Sequence, residues 1–586
     1  MWGFFKSFFA ALLAFIVFVF AAFCFLIGMV SGLTSSRRPS VGQKAVLVLD
    51  LSQTFREQAR ESALSFLTSS DDEFNEPPGL YDLVRLLHHA RGDSAIKGLY
   101  IKCNNNPNGF ASSEEIRNAL LDFKRSGKFI YAFGDAIPQK AYYVASVADR
   151  IYCNPKGGVD WKGFAIEMPF LKGALEKLEI EPQIFYAGKF KSATEPLRAD
   201  KMTEPNRLQL TELLDGFFNT LLYSTAASRG LDTTVLRKCA DGHLIRYAAD
   251  ALAYRLVDGL RYDDEVKEEI HKRLHGEDHD FINFVTFGKY ARAVNYKASG
   301  KDAIYLIYAE GDIVNGKGEK EEIGADTYRW LIRKARYDDD CKAIVIRVNS
   351  GGGSSLASEN LWREIYVARK TKPVILSFGD VAASGGYYLS CNADSIFAEP
   401  TTITGSIGVF SVIPNLQSFF RNKLGVTFDN VKTSPDAGEL TVTRPLTPSQ
   451  KMYMQNEVDS IYHDFKYRVA DGRKLTIDYV DSIGQGRVWS GRKGLQLGLV
   501  DRLGGLQDAI DCAARMAKTK SYSLKELPEP RNLLELLTGG YRKSILEKSM
   551  KEQLGEDGYR TYNAIRRVKA MTGITQARMP FDPVVE

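Results

Sequence analysis

Short apolar runs alternate with segments of helical apolar spacing along most of this chain. The runs "AIVIRV" and "PVILSF" are rich in β-branched residues throughout, which is typical of strands covered on both faces. Between them, "ASENLWREIYVARK" has apolar residues at the three- and four-residue spacing of a helix. This alternation predicts α/β domains with largely parallel sheets.

The first apolar stretch is of a different kind. From Phe8 to Val30 the chain runs for 23 residues without a charge. As a helix it would be about 34 Å long, against a hydrocarbon core of about 30 Å. Because a cleaved signal peptide has a shorter apolar core and an A-x-A-like site, which is missing here, we predict an uncleaved anchor over residues 1–36, with a cleaved signal as the alternative. The flanking positive charges leave its orientation undecided.

The rest of the chain contains one pattern twice. "FGDVAASGGYYLSCNADSIFAEP", from Phe378, aligns with "FGDAIPQKAYYVASVADRIYCNP", from Phe133, at a shift of 245 residues. "KAIVIRVNSGGGSSLASENL" aligns with "KGLYIKCNNNPNGFASSEEI" at the same shift, and a third pair of segments follows in order. Matches at a near-constant shift indicate a tandem duplication. We predict a first repeat over 37–294, a second over 295–525 and a helical tail over 526–586.

Composition and charge narrow the function classes. The 586 residues are 44% hydrophobic and 25% charged, as in ordinary globular proteins, so disorder is not expected. The formal net charge of +5 is weak for this length and no long basic run occurs, so we do not expect nucleic acid as a partner. The seven cysteines are scattered without CxxC or metal-ligand spacing, which predicts single buried thiols and no metal site.

The two repeats differ at positions that could carry chemistry. Ser384 stands opposite Gln139 of the first repeat, and Gly352 in "NSGGGS" stands opposite Pro107, which has no N–H to donate. A serine beside a glycine loop suggests acyl transfer, with the N–H groups of Gly352 and Gly385 stabilising the oxyanion. The alternative for Ser384 is a small residue in a tight turn. Phosphate binding is the alternative for the loop, although the G-K-[ST] ending of a P-loop is missing.

A serine nucleophile needs a base, and none of the seven histidines lies in a recognisable triad context. Lys191 follows the apolar run "PQIFYAGKF" in the first repeat, whereas the equivalent position of the second repeat is Asp436. Each repeat thus retains one of two complementary groups. A lysine acts as a base only when neutral, and burial among apolar groups favours that form by lowering its pKa. A solvated surface lysine remains the alternative at this point.

Four motifs, "RVNSGGGSSLAS", "AASGGYYLS", "TGSIGVF" and "GKFKSATEP", together resemble the signal peptide peptidase A family, also called protease IV, in its long bacterial form. The resemblance covers nearly the whole chain. It implies the Clp-protease/crotonase-like fold, a β-β-α spiral, in both repeats. It also implies a serine endopeptidase with a Ser384–Lys191 dyad, a lysine oriented by Ser406, and oxyanion donors at Gly352 and Gly385.

The same resemblance implies a location and partners. We expect a single-pass protein of the bacterial inner membrane, with catalytic domains facing the periplasm, that assembles as a homotetramer. Its substrates would be remnant signal peptides and other apolar peptides, and it would need no cofactor. Gly351 stands where the family usually has a proline, which leaves the N–H of Gly352 in place. A coenzyme A-dependent crotonase-fold enzyme and a non-catalytic membrane scaffold are the alternative functions.

Overall fold

The computed structural model describes residues 39–59, 77–275, 281–319, 321–434, 437–438, 440–529 and 575–579, with parts of a helix between residues 3 and 21. Residues 10–19 of that helix are exposed. Within these described ranges, no helix combines the length and the hydropathy that crossing a membrane requires. The predicted span from Phe8 to Val30 lies partly outside them.

The first repeat is built on a parallel sheet. Its strands are β1 (Ala45–Asp50), β2 (Ile96–Lys102), β3 (Phe129–Ile137), β4 (Arg150–Val159), β6 (Gly259–Leu260) and β7 (Phe284–Thr286), in the order β6-β4-β3-β2-β1-β7. Successive residues of β2 enter different apolar clusters: Leu99 and Ile101 enter one, and Tyr100 enters the other. Because side chains alternate across a strand, both faces of this sheet are covered, as the continuous apolar runs predict.

The second repeat has a similar sheet. Its strands are β8 (Asp302–Glu310), β11 (Cys341–Ser350), β13 (Val374–Ala383), β14 (Ser395–Ala398), β15 (Ile403–Gly405), β17 (Val488–Ser490), β18 (Arg502–Leu503) and β19 (Tyr522–Leu527). All pairs are parallel except β15–β17. Strands β2 and β11 begin 245 residues apart, as do β3 and β13, so the duplication read from the sequence is also a structural one.

A third sheet joins the two repeats. It contains β5 (Glu181–Ala187) from the first repeat and β9 (Asp312–Val314), β10 (Glu322–Gly324), β12 (Gly352–Ser354) and β16 (Val409–Asn415) from the second, with β20 (Gln576–Arg578) from the tail. The strand order is β10-β9-β12-β20-β16-β5. Strands β5 and β16 pair antiparallel along their whole length, from Ala187 opposite Val409 to Glu181 opposite Asn415. The repeats therefore share a sheet instead of forming two separate bodies.

Helices connect and cover these strands. Those of the first repeat are Leu80–Gly92, Phe110–Lys124, Gln139–Ala145, Lys172–Lys177, Glu195–Arg198, Glu204–Arg229, Thr233–Asp241, Ala248–Ala253, Asp263–His275 and Phe287–Ala293, with a 3-10 turn at Ser192–Thr194. Those of the second are Ala325–Tyr337, Ser355–Ala368, Gly385–Ser390, Pro448–Arg473, Ile477–Ile483, Gly491–Gln496 and Leu506–Met516, with a π-helical turn at Phe419–Lys423.

A buried ion network also holds the repeats together. The guanidinium of Arg347, in β11, donates to Glu57 Oε2 over 2.8 Å and to Glu115, both from the first repeat. All three side chains are buried. Burial is the main cause that raises the pKa of Glu57 to about 8. Removing one partner would leave a buried charge uncompensated.

Most of the tail that was predicted to be helical, residues 526–586, lies outside the description, namely 530–574 and 580–586. Its described residues are 526–529, which include the end of β19, and 575–579, which contain β20. Residues 575–579 are extended because β12 and β16 offer strand edges on either side, and this tertiary context is not visible in the local sequence.

Candidate active site

Strand pairing between the repeats brings Lys191 to Ser406. Lys191 follows the end of β5 by four residues, and Ser406 precedes the start of β16 by three. Since Ala187 lies opposite Val409 in the antiparallel pair, the chain leaving β5 passes directly beside the chain entering β16. The lysine of one repeat therefore projects into the other repeat.

Ser384 lies in a sharp turn between β13 and the helix Gly385–Ser390. Its backbone has φ 53° and ψ −114°, a conformation that non-glycine residues rarely adopt. The N–H of Ser384 donates to the carbonyl of Gly405 (2.8 Å), and its own carbonyl accepts from the N–H of Tyr388 (2.7 Å). Ser406 also has a positive φ, of 52°. Strained backbone at two serines such as Ser384 and Ser406, which lie close together in space, is typical of a functional site.

The two serines and the lysine are in direct contact. Lys191 Nζ lies 2.8 Å from Ser384 Oγ, 3.0 Å from Ser406 Oγ and 3.3 Å from the Ser406 carbonyl oxygen. A neutral amine has two N–H donors and one lone pair. If its hydrogens go to the two oxygens of Ser406, the lone pair remains to accept the hydroxyl proton of Ser384. The geometry is that of a nucleophile, its base and a group that orients the base.

Burial favours the neutral form of the lysine that this arrangement needs. The side chain of Lys191 is only 1% exposed, and Ser384 and Ser406 are fully enclosed. Removal from water lowers the pKa of Lys191 well below its ordinary value. In the described part of the chain no carboxylate forms an ion pair with this amine, and burial is the cause of the shift in its pKa. Lys191 is therefore no surface lysine.

Two residues that the sequence did not single out hold the turn around Lys191. Gln209 Nε2 donates to the carbonyl of Phe190 (3.1 Å) and to Ser192 Oγ (3.0 Å). Gly486 packs against Lys191 so closely that an added Cβ would come within 2.6 Å of its backbone nitrogen. Neither residue belongs to a motif, and only the folded structure identifies them.

The two candidate oxyanion glycines are neighbours. A Cβ added to Gly352 would come within 2.7 Å of the backbone nitrogen of Gly385. Gly352 has φ 102°, which explains why a glycine is needed there. In this structure its N–H donates to Ser350 Oγ (3.1 Å), whose hydroxyl donates to the carbonyl of Gly311 (2.6 Å). Gly352 must exchange this bond before its N–H can bind an oxyanion.

The equivalent position in the first repeat has no nucleophile. Gln139 Oε1 accepts from the N–H of Lys162 (2.7 Å) and of Gly163 (2.8 Å), and its Nε2 donates to the carbonyl of Gly163 (2.7 Å). These hydrogen bonds hold the loop at Lys162 and Gly163, which belongs to the same repeat. The first repeat therefore contributes structure and the lysine, while the hydroxyl comes from the second.

Comparison with known proteins matches both repeats to one family. The family model for "Peptidase family S49" matches residues 122–276 and 367–520, one segment in each repeat. Protease 4 of Salmonella typhi is 34% identical over 499 residues, which cover 82% of this chain and 79% of that protein. The chloroplastic serine protease SPPA of Arabidopsis thaliana is 32% identical over 497 residues, which cover 82% and 73% of the two chains.

A solved structure of ClpP1 from Listeria monocytogenes is also matched. It is 14% identical and has a TM-score of 0.24, and the match covers 35% of this chain and 94% of that one. An overlap this small carries no argument. The family match and the two relatives show that this chain belongs to peptidase family S49 and is a serine peptidase.

Proposed function

We propose that this serine peptidase is a membrane-anchored endopeptidase in which Ser384 is the nucleophile and Lys191 the general base. The observation that carries the proposal is the 2.8 Å contact between Lys191 Nζ and Ser384 Oγ inside a fully buried site. A buried amine with no opposite charge beside it is a base at a pH where an ordinary lysine is protonated.

The chemistry follows from these positions. Lys191 Nζ takes the proton of Ser384 Oγ as the oxygen attacks the carbonyl carbon of the substrate peptide bond. The negative charge that develops on the carbonyl oxygen is stabilised by the N–H of Gly385, joined by that of Gly352 when it leaves Ser350. Lys191 then donates its proton to the departing amine. Water hydrolyses the acyl-enzyme with the same amine acting as base, which regenerates the hydroxyl.

The substrate would bind as an extended strand. Strands β12 and β16 do not pair with each other, and the space between them admits one strand. A peptide in that space can form backbone hydrogen bonds along both edges, which is recognition by strand addition. Backbone pairing is tolerant of sequence, as expected of an enzyme that degrades varied apolar peptides.

Substrate and location are proposed from the N-terminal sequence and the family resemblance. The uncharged run from Phe8 to Val30 would anchor the protein in the bacterial inner membrane with its catalytic domains in the periplasm. Remnant signal peptides, which are apolar helices left in the bilayer, would then lie close to the site. We further propose the Clp-protease/crotonase-like spiral for each repeat, and a homotetramer.

The direct test is hydrolysis of an apolar peptide by the detergent-solubilised full-length chain. We expect Ser384→Ala to reduce the rate to background and Lys191→Ala to reduce it by about 10²–10⁴-fold, the range for loss of a general base. Lys189→Ala is the matched control, because this neighbouring lysine is exposed. Substantial hydrolysis by the Ser384→Ala variant would refute the assigned nucleophile.

A further inference from the structure

A cleft lies between two neighbouring helices of the second repeat, Ala325–Tyr337 and Ser355–Ala368. Its volume is about 470 Å³, which is within the range of about 300–1,000 Å³ for small-molecule sites. None of its described lining residues belongs to the candidate active site. Three arginines are spaced four and three positions apart on the first helix, so they share one face, and a fourth comes from the second helix. These residues are Arg329, Arg333, Arg336 and Arg363.

The cleft contains more positive than negative groups. Glu364 is the one carboxylate among its described lining residues. Its Oε1 accepts from Arg333 Nε over 2.9 Å and lies 3.8 Å from Arg329 Nε. Arg329 also lies 3.7 Å from the exposed carboxylate of Asp326. Even when Asp326 is counted, the four arginines leave two positive charges without a negative counterpart.

In the described part of the chain, Arg336 and Arg363 form no ion pair with a carboxylate. Arg336 Nη2 donates to Tyr337 Oη over 2.7 Å, and the guanidinium of Arg363 lies 5.5 Å from the centre of the Tyr366 ring. The side chain of Arg363 is exposed and that of Arg336 is half-buried. Because both residues line the cleft, their guanidinium groups can contact an anion that enters it.

The first repeat has the same pair of helices without this excess of charge. Its two helices begin 245 positions before their counterparts in the second repeat. The equivalents of Arg336 and Val367 are Arg91 and Asp122, and Asp122 Oδ1 accepts from Arg91 Nη1 over 2.7 Å. The equivalents of the other three arginines are Val84, His88 and Asn118. Since the helix pair packs without the arginines in one repeat, packing alone does not explain them in the other.

A phosphate group is the anion that fits the arginines best. Guanidinium groups remain charged at physiological pH, and each can donate two parallel N–H bonds to phosphate oxygens. A phosphate has several oxygens, so Arg336 from one helix and Arg363 from the other can bind it together. The first helix also exposes two aromatic side chains, with Trp330 exposed by 59% and Tyr337 by 74%. Exposed Trp and Tyr beside basic residues are typical of surfaces at the headgroup level of a bilayer.

We propose that this cleft binds a phosphate group, and that the headgroup of an anionic phospholipid supplies it. The bilayer as the source rests on the proposed N-terminal anchor, which would keep the second repeat within reach of the headgroups. The phosphate site itself rests only on the arginines and their comparison with the first repeat. Binding would hold this face of the repeat against the membrane in which the proposed apolar substrates lie.

The test is calorimetric titration of the full-length chain in a neutral detergent. One arm adds inorganic phosphate, and the other adds mixed micelles of dioleoylphosphatidylglycerol. We expect saturable binding in both arms, tighter for the lipid, and weaker by at least about tenfold in the double variant Arg336→Gln with Arg363→Gln. The matched control is Arg91→Gln with Arg125→Gln, which removes the same charge from the first repeat, where both arginines are exposed. Equal losses in the two double variants would overturn the proposal.

A second variant tests the cleft without removing an arginine. Val367→Asp introduces the carboxylate that the first repeat has at this position, and the side chain of Val367 is half-buried, so the change is accommodated. We expect binding of both probes to weaken about tenfold, whereas Val367→Asn should bind as the wild type does. Unchanged binding by Val367→Asp would contradict the site.

The two probes also separate the sources of the phosphate. Tighter binding of the lipid supports the bilayer, whereas equal binding of inorganic phosphate would support the site and refute the bilayer as its source. No saturable binding of either probe would overturn the proposal. Hydrolysis of an apolar peptide, measured on the same samples, should be retained in all of these variants, because none of the residues belongs to the dyad. The proposed function therefore stands or falls separately.

Discussion

Lys191 Nζ of the first repeat lies 2.8 Å from Ser384 Oγ of the second, although 193 positions separate the two residues in the sequence. The contact exists because β5 of one repeat pairs with β16 of the other, so the active site forms only when the repeats share a sheet. Each repeat holds one of the two groups, so the pair is complete only between the repeats.

The pH dependence of hydrolysis should report the neutral form of Lys191. Below the pKa of this amine the ammonium cannot accept the proton of Ser384, so the rate is low; it rises as the pH passes through the pKa. Because burial lowers that pKa, the inflection in kcat/KM should lie well below the ordinary lysine value. A profile that rises only near pH 10 or above would contradict a buried base.

The same burial predicts that Lys191 lowers the stability of the folded protein at neutral pH. The unfolded chain protonates this lysine and the folded chain does not. The wild type therefore becomes more stable as the pH rises from the folded pKa toward the ordinary lysine value. Lys191→Met removes this titrating group, so its free energy of unfolding should exceed that of the wild type by about 1–4 kcal/mol. The variant should therefore unfold at a higher urea concentration.

The advantage of Lys191→Met should shrink with increasing pH, whereas exposed Lys189→Met should show no such trend. Urea unfolding at several pH values measures both variants. An advantage that is constant with pH would mean that Lys191 is protonated in the folded chain.

Ser406 should act by orienting the lysine amine. Its hydroxyl lies 3.0 Å from Lys191 Nζ, so Ser406→Ala should lower kcat about tenfold, leave KM unchanged and shift the ascending limb of the pH profile. Ser411→Ala is the matched control, because this buried hydroxyl in β16 has no hydrogen-bond partner in the described part of the chain. Equal effects of the two substitutions would indicate a merely structural role for Ser406.

We expect hydrolysis to require a glycine at position 486, because a side chain there would collide with Lys191. A Cβ there would come within 2.6 Å of the backbone of Lys191, so Gly486→Ala should displace the lysine and lower kcat by about 10²-fold. Gly498→Ala adds a methyl group at a similar φ, +76° against +79°, where the nearest atom is 3.7 Å away. Because the backbone strain is matched, any extra loss in the Gly486 variant measures the collision.

The duplication and the α/β class could be predicted from the sequence because both follow from patterns of neighbouring residues. Strands such as β11 and β13 are continuous apolar runs, and their counterparts recur at a fixed shift. The predicted roles of Ser384 and Lys191 rest on a comparison between the two repeats, and those roles stay predictions. Their contact is present in the structure.

Other features depend on distant parts of the chain and have no local signal. Gln209 approaches Phe190 and Ser192 only after the helix Glu204–Arg229 packs. Residues 576–578 form a strand, where the tail was expected to be helical, because their partners lie more than 150 positions away.

The central claim, that Lys191 activates Ser384, is tested most directly by mapping a fluorophosphonate label on the wild type and on Lys191→Met. We predict that the wild-type label is found on the peptide containing Ser384, and that the variant reacts at least about 100-fold more slowly. A label on a different serine, or equal rates in the two proteins, would contradict the account.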